Sequence, residues 1–171
     1  MSLKTQPCPV ARSVDLIGDR WALLIIRDAF DGARRFGDFQ RSLGVARNIL
    51  TDRLRKLMEA GIFTTQPASD GTAYQEYVLT ERGESLFPVV VALRQWGEQH
   101  LFAPGEPHSI LIDSQSGEAI PPMLPQAADG HRLTAAILKC VNYSNKKGRY
   151  GSGQPCRDKF MLPSGRSNSF I

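Results

Sequence analysis

Apolar residues over the first hundred positions recur at helical spacing, and glycine interrupts the recurrence again and again. Val10, Val14 and Ile17 lie on one face of a helix predicted from Pro9 to Ile17. Pro9 suits its first turn, where a missing N–H costs nothing. Gly18-Asp19 breaks the pattern, with Asp19 as a suitable N-cap. A second helix is predicted from Arg20 to Phe30, with Trp21, Leu24, Ile25 and Ala29 facing inward. Leu23 and Ile26 spread its apolar surface round most of the girth, which places this helix at the centre of a core. Beyond Asp31-Gly32, Phe36, Phe39 and Leu43 mark a short third helix that Gly44 stops. Leu50, Leu54 and Leu57, within about 60° on a helical wheel, mark a fourth that Gly61 ends. Two short helices joined by a glycine-bearing corner form a helix-turn-helix, whose second helix enters the major groove of DNA.

The period then changes from helix to strand. Ile62 to Thr65 is β-branched and aromatic, and Tyr74 to Leu79 alternates. The turn-rich PASDGTA lies between them. A hairpin after a recognition helix is the wing of a winged-helix domain. Thr80 is then predicted to cap one long helix, Glu81 to Phe102, with Glu81 and Glu84 where the dipole favours acids. Its stripe of Leu86, Val89, Val90, Leu93, Trp96, Gly97 and Leu101 is wider than a small domain can cover. A homodimer interface is the economical reading, and cover by the C-terminal extension is the alternative.

The fold class predicted is mainly α with a small β-hairpin: a winged helix-turn-helix domain with a C-terminal extension. Residues 1–103 form the DNA-binding and dimerisation domain. Residues 104–141 form a small accessory extension, in which Ser109–Ile112 and Glu118–Leu124 are candidate hairpin strands. His131–Val141 is a short strand or helix. Residues 142–171 are polar, rich in glycine and serine, and read as a disordered tail. Its Lys146, Lys147 and Arg149 suit nucleic acid, although such a tail is more often only solvated.

Charge sharpens the picture. Residues 34–56 hold seven cations and two anions, whereas the rest of the chain to Ala103 holds six cations and ten anions. The net charge of +4 and pI near 9.1 permit a nucleic-acid partner without demanding one. Opposite the leucines of the fourth helix, Asn48, Asp52, Arg55 and Glu59 point outward, with Arg47 and Thr51 on the flank. Arginine and asparagine suit guanine and adenine edges, so Arg47, Asn48, Thr51 and Arg55 are the candidate base contacts. Arg34, Arg35 and Arg53 are the candidate phosphate contacts. An ordinary solvated helical face looks similar, and the flanking elements favour DNA. The wing carries Asp70 and neither Lys nor Arg, so Ser69, Thr72 and backbone amides would make its contacts, and only weak ones.

Other chemistry finds little support. Cys8, Cys140 and Cys156 lack CxxC spacing, which implies neither a disulfide framework nor a zinc site. His100, His108 and His131 have no ligand spacing. No glycine-rich phosphate loop follows a strand and there is no GxSxG elbow, so neither an enzyme nor a cofactor is expected. No apolar run approaches the roughly 18 to 20 residues of a membrane span. The segment MSLKTQPCPVARS lacks a signal-peptide core, which predicts a cytoplasmic protein. Cys8 falls at or beside a helix N-cap, with Arg12 four residues on. A thiol so placed is a nucleophile and oxidation target, or else an inert, partly buried group.

Several of these residues together resemble the HxlR-type transcriptional regulators, relatives of the MarR-like winged-helix proteins. They are Cys8-Pro9-Val10, Gly18-Asp19-Arg20-Trp21, Arg35-Phe36, Leu50-Thr51 with Arg53-Leu54, Glu59-Ala60-Gly61-Ile62, Tyr77-Val78-Leu79-Thr80 with Gly83, and Trp96-Gly97. They cover roughly residues 8 to 102. The resemblance implies a homodimeric regulator, read as a repressor, that binds double-stranded DNA at an inverted-repeat operator. It implies dimerisation through the N-terminal helix (Val10, Val14) and the long helix (Leu86, Val89, Val90, Leu93, Trp96, Leu101). It also implies that Cys8 occupies the position where some relatives sense oxidants, quinones or aldehydes, so an electrophile or a small-molecule effector is expected. Ala46 departs from the family's usual serine N-cap. Gly117 and Gly130 resemble a two-hairpin ribbon appended to some relatives, but the cysteines that bind zinc there are absent and no metal is expected. A winged-helix protein-interaction module without DNA binding is the alternative left open by the acids Asp52, Glu59 and Asp70.

Overall fold

The computed structural model describes residues 3–138. The elements run α1 (Pro9–Ile17), α2 (Arg20–Phe30), α3 (Phe36–Leu43), α4 (Arg47–Glu59), β1 (Phe63–Pro67), β2 (Gln75–Leu79), α5 (Glu81–Glu84) and α6 (Phe87–His100). This is a winged helix-turn-helix. Asp19 caps α2, its Oδ1 accepting the Trp21 and Ala22 N–H groups at 3.0 and 3.2 Å. Gly44 ends α3 in the left-handed region at φ 58°, where an L side chain would be strained. Ala46 occupies the N-cap of α4 and offers no side-chain acceptor.

The core is the meeting of α2, α3, α4 and the hairpin. Ile25, Ile26, Phe39, Leu50, Leu54, Leu57 and Ile62 are buried there, each contributing about 1.5–3 kcal/mol from apolar burial. Phe39 meets the rings of Phe63 and Tyr77 edge-on. The buried residues of α2 are Ala22, Ile25, Ile26 and Asp28. Of the expected Trp21, Leu24, Ile25 and Ala29, Ile25 is buried, Trp21 and Ala29 pack half-buried against the core, and Leu24 does not join it. A helix apolar round most of its girth does not fix its own rotation.

The hairpin is antiparallel, with Phe63 opposite Leu79 and Thr65 opposite Tyr77. The Tyr77 N–H donates to the Arg34 carbonyl at 2.7 Å, which fastens the approach to α3 onto the wing. Thr80 Oγ1 donates to the Gly61 carbonyl at 2.6 Å and accepts the Gly83 N–H, so it ties α4 to the cap of α5.

The single long helix expected from Glu81 to Phe102 is instead two helices. Pro88 is the cause, since it has no N–H for the Glu84 carbonyl and its ring crowds that carbonyl. The chain turns at Ser85-Leu86 and α6 starts at Phe87. The short α5 packs closely: a Cβ on Gly83 would lie 2.3 Å from the Ile62 carbonyl oxygen.

Residues 104–123 belong to the same compact unit as the helices. Gln95 holds their far end, its Nε2 donating to the Pro121 carbonyl at 3.0 Å and its Oε1 accepting the Met123 N–H at 2.8 Å. The expected hairpin strands reduce to one antiparallel bridge, Ile112 with Ala119. A second unit holds Gln6–Cys8 and, of the described residues, those from 124 to 138. In it Gln126 bridges Arg132, and over 131–138 neither strand nor helix forms. The remainder of the 131–141 expectation, Cys140, Cys156 and the tail with Lys146, Lys147 and Arg149 lie outside the described residues. Among the described residues no helix is long and apolar enough to cross a membrane.

Candidate nucleic-acid interface

Burying Leu50, Leu54 and Leu57 fixes the rotation of α4, so its opposite face is open: Arg47, Asn48, Thr51 and Arg55 are exposed. Together with Asp52 they line one shallow concavity. The Arg47 guanidinium lies over the Phe36 ring, 5.4 Å from its centroid, a cation–π contact that props it at the start of α4. The Thr51 hydroxyl donates to the Arg47 carbonyl at 2.8 Å and keeps its lone pairs for an incoming donor. Arg55 is held between two carboxylates, donating to Asp52 Oδ1 at 2.9 Å and Glu59 Oε1 at 2.5 Å. Those partners raise its pKa further, the Asp52 bond most.

Arg53 lies elsewhere. Only 27% of its side chain is exposed, with Nε 3.1 Å from Asp19 Oδ1 and Nη1 3.2 Å from Asp52 Oδ2. The Nε contact is an ion pair without hydrogen-bond alignment. Arg53 therefore joins α4 to the start of α2, and the structure does not present it as an open phosphate ligand.

Arg34 and Arg35 sit where the chain enters α3, beside the wing. Arg34 Nη1 is 3.9 Å from Glu76 Oε2, and Glu76 is buried. Glu76 Oε1 accepts the Ser69 hydroxyl at 3.2 Å and lies 3.4 Å from the Ser69 N–H, which sets the start of the wing loop. Arg35 donates to Asp70 at the wing tip. Asp70 Oδ1 also accepts the Thr72 hydroxyl at 2.7 Å and N–H at 3.1 Å. The Thr72 hydroxyl first, and Arg35 next, hold the Asp70 carboxyl down at about 2. Ser69 and Thr72 are exposed, but their donors already serve Glu76 and Asp70.

Sequence reasoning passed over Glu76 and the paired roles of Asp52 and Asp70. The i, i+3 and i, i+4 spacing of Asp52 to Arg55 and Lys56 was the available signal. Nothing in the sequence pairs Arg35 with Asp70, thirty-five residues away.

Exposed apolar residues also occur on α1 and α6. Val10 is 70% exposed, Trp96 54% and Leu101 66%, and Val14, Val89 and Leu93 are also exposed. Leu86 and Val90 differ, being half-buried against the chain's own core. Cys8, directly before α1, is a half-buried free thiol.

Comparison with known proteins agrees with this geometry. The model of the HxlR-like helix-turn-helix family matches residues 16–104. The uncharacterised HTH-type transcriptional regulator Rv3095 of Mycobacterium tuberculosis is 44% identical over 126 residues, 74% of this chain and 80% of that protein. YdeP of Bacillus subtilis, described in the same terms, is 32% identical over 54% of this chain and 73% of its own length. The crystal structure of PA1607, a transcription-factor candidate, is 49% identical with a TM-score of 0.80, covering 84% of this chain and all of that one. The redox regulator HypR in its oxidised form is 33% identical with a TM-score of 0.51, covering 56% of this chain and all of HypR. The chain belongs to the HxlR-like helix-turn-helix family and is a transcriptional regulator of that type.

Proposed function

We propose that the protein acts in the cytoplasm as a homodimeric repressor on an inverted-repeat operator in double-stranded DNA. The observation that carries this is the polar face of α4, in which Arg47, Asn48, Thr51 and Arg55 are exposed on a leucine-backed helix. Arg47, Asn48, Thr51 and Arg55 contact bases, Arg34 and Arg35 contact phosphates, and Ser69 and Thr72 of the wing approach the backbone. Arg53 serves chiefly to hold α4 in place. The exposed apolar residues of α1 and α6 (Val10, Val14, Val89, Leu93, Trp96, Leu101) form the twofold interface, with Leu86 and Val90 supporting it from the core. Residues 1–103 constitute the DNA-binding and dimerisation domain, and residues 104–141 an accessory extension.

Two half-sites then lie one helical turn of DNA apart, about 34–36 Å, or a small multiple of that. Selection from a randomised duplex pool tests the reading. The expected product is a palindrome that lowers reporter expression when placed upstream of a promoter. Recovery of no common sequence excludes it, and activation of the reporter excludes the repressor.

Switching by an effector belongs to the same reading. Cys8 is the candidate for electrophiles. A groove of about 800 Å³ between α1 and the rear of α4, bounded by Arg12, Val14, Lys56 and Arg82, is the candidate for a small molecule. Cys8→Ser should bind DNA as the wild type does and ignore diamide or a quinone. Identical responses of the two proteins make Cys8 structural.

A further inference from the structure

Arg55 is the long cation in the middle of the open face of α4, and such a side chain reads a base only when its orientation is fixed. The fixing group is Asp52, one turn earlier. Its Oδ1 accepts Arg55 Nη2 at 2.9 Å, while its Oδ2 lies 2.8 Å from Lys56 Nζ and 3.2 Å from Arg53 Nη1. Glu59, one turn later, takes Arg55 Nη1. One carboxylate thus engages three of the four cations of α4, leaving only Arg47 outside its reach.

We propose that Asp52 is the positioning residue of this face: it aims the Arg55 guanidinium at a base edge and withholds Arg55 and Lys56 from indiscriminate phosphate contact. The inference rests on the DNA-reading function above and supplies the source of its selectivity.

Two physical effects act together. The carboxylates occupy two of the five N–H groups of Arg55, leaving three on a planar fork already held in place. A side chain ordered beforehand loses less freedom on docking, so more of a correct contact survives as affinity. Asp52 and Glu59 also place negative charge where duplex phosphates approach. That disfavours every sequence alike unless a base acceptor compensates, which is how a repulsive element creates specificity. Lys56 first, and Arg55 next, hold the Asp52 carboxyl below its ordinary range, so it remains charged at neutral pH.

Asp52→Asn in the full chain tests this, with Asp52→Glu as the conservative control. The probes are the duplex that the wild type enriches from a randomised pool and a scrambled duplex of equal length, titrated by fluorescence anisotropy at two salt concentrations. Asp52→Asn should bind the scrambled duplex more tightly, with a salt slope steeper by up to about 0.9 per released cation. Its preference for the enriched duplex should fall on the order of tenfold, the share of one bidentate base contact. Asp52→Glu should restore part of that preference, and Asp52→Asn added to Arg55→Ala should remove no more of it. An unchanged preference, or equal losses on both duplexes, overturns the role of Asp52 and leaves the DNA-reading function standing. If the wild type enriches no duplex, the function itself fails and this inference with it.

Discussion

Arg53 of α4 and Asp19 at the cap of α2 meet at 3.1 Å, so the oxygen that starts the central helix also anchors the helix proposed to read DNA. Removing Asp19 should therefore do two things. Asp19→Ala loses a cap worth about 1 kcal/mol and strips Arg53 of one partner, for a total on the order of 2 kcal/mol. Asp19→Ser keeps a capping hydroxyl and should recover about half. Urea unfolding of the three proteins decides it, and equal stability of Asp19→Ser and Asp19→Ala contradicts the capping role.

The packing of α5 makes a sharp contrast between two glycines. Gly83→Ala sets a Cβ against the Ile62 carbonyl oxygen, both of them backbone-held, so α5 or the hairpin must move. A loss of at least about 2 kcal/mol is expected, in the range for overpacked sites. Gly97→Ala meets nothing in its own chain nearer than Leu101 Cδ1 at 3.9 Å, so where the partner's helix leaves it room it should gain up to about 1 kcal/mol of helix propensity. Thermal midpoints of the two variants should shift in opposite directions.

The wing tip should respond to acid at a defined point. The Asp70 carboxyl is held at about 2 against an ordinary 3.8 by Thr72 and Arg35. A carboxyl depressed by folding stabilises the native state above its unfolded pKa, and that contribution is lost as pH falls through the folded value. The stability that the Thr72–Asp70–Arg35 contacts confer should thus be full at neutral pH and decline between about pH 4 and 2, the contacts themselves parting as the native carboxyl protonates near 2. Carbon-13 titration of the Asp70 carboxyl should show a midpoint near 2, moving up in Thr72→Ala and in Arg35→Ala. A wild-type midpoint near 3.8 means that the contacts are not populated in solution.

Much of this was legible in the chain. Glycines at 18, 32, 44 and 61 and the leucines of α4 specify the first four helices, because helix stops and apolar period are local properties. Pro88 was equally local and gives the break between α5 and α6, but the apolar stripe running past it masks the break. The exposed side of α4 could be read from its period. What the arginines on it and before α3 do could not, because Arg53 reaches Asp19 and Arg35 reaches Asp70 across folded distances that no periodicity encodes. Phosphate-binding arginines and arginines that hold the fold together look alike in a sequence, and only their partners tell them apart.

In the proposed function the open face of α4 reads bases while Arg35 only senses charge. Titrating Arg55→Ala and Arg35→Ala against the enriched and scrambled duplexes at two salt concentrations tests it most directly. Arg55→Ala should lose about 1–3 kcal/mol on the enriched duplex and little on the scrambled one. Arg35→Ala should weaken both alike and flatten the salt slope by about 0.9. Equal losses on both duplexes for Arg55→Ala would contradict the account.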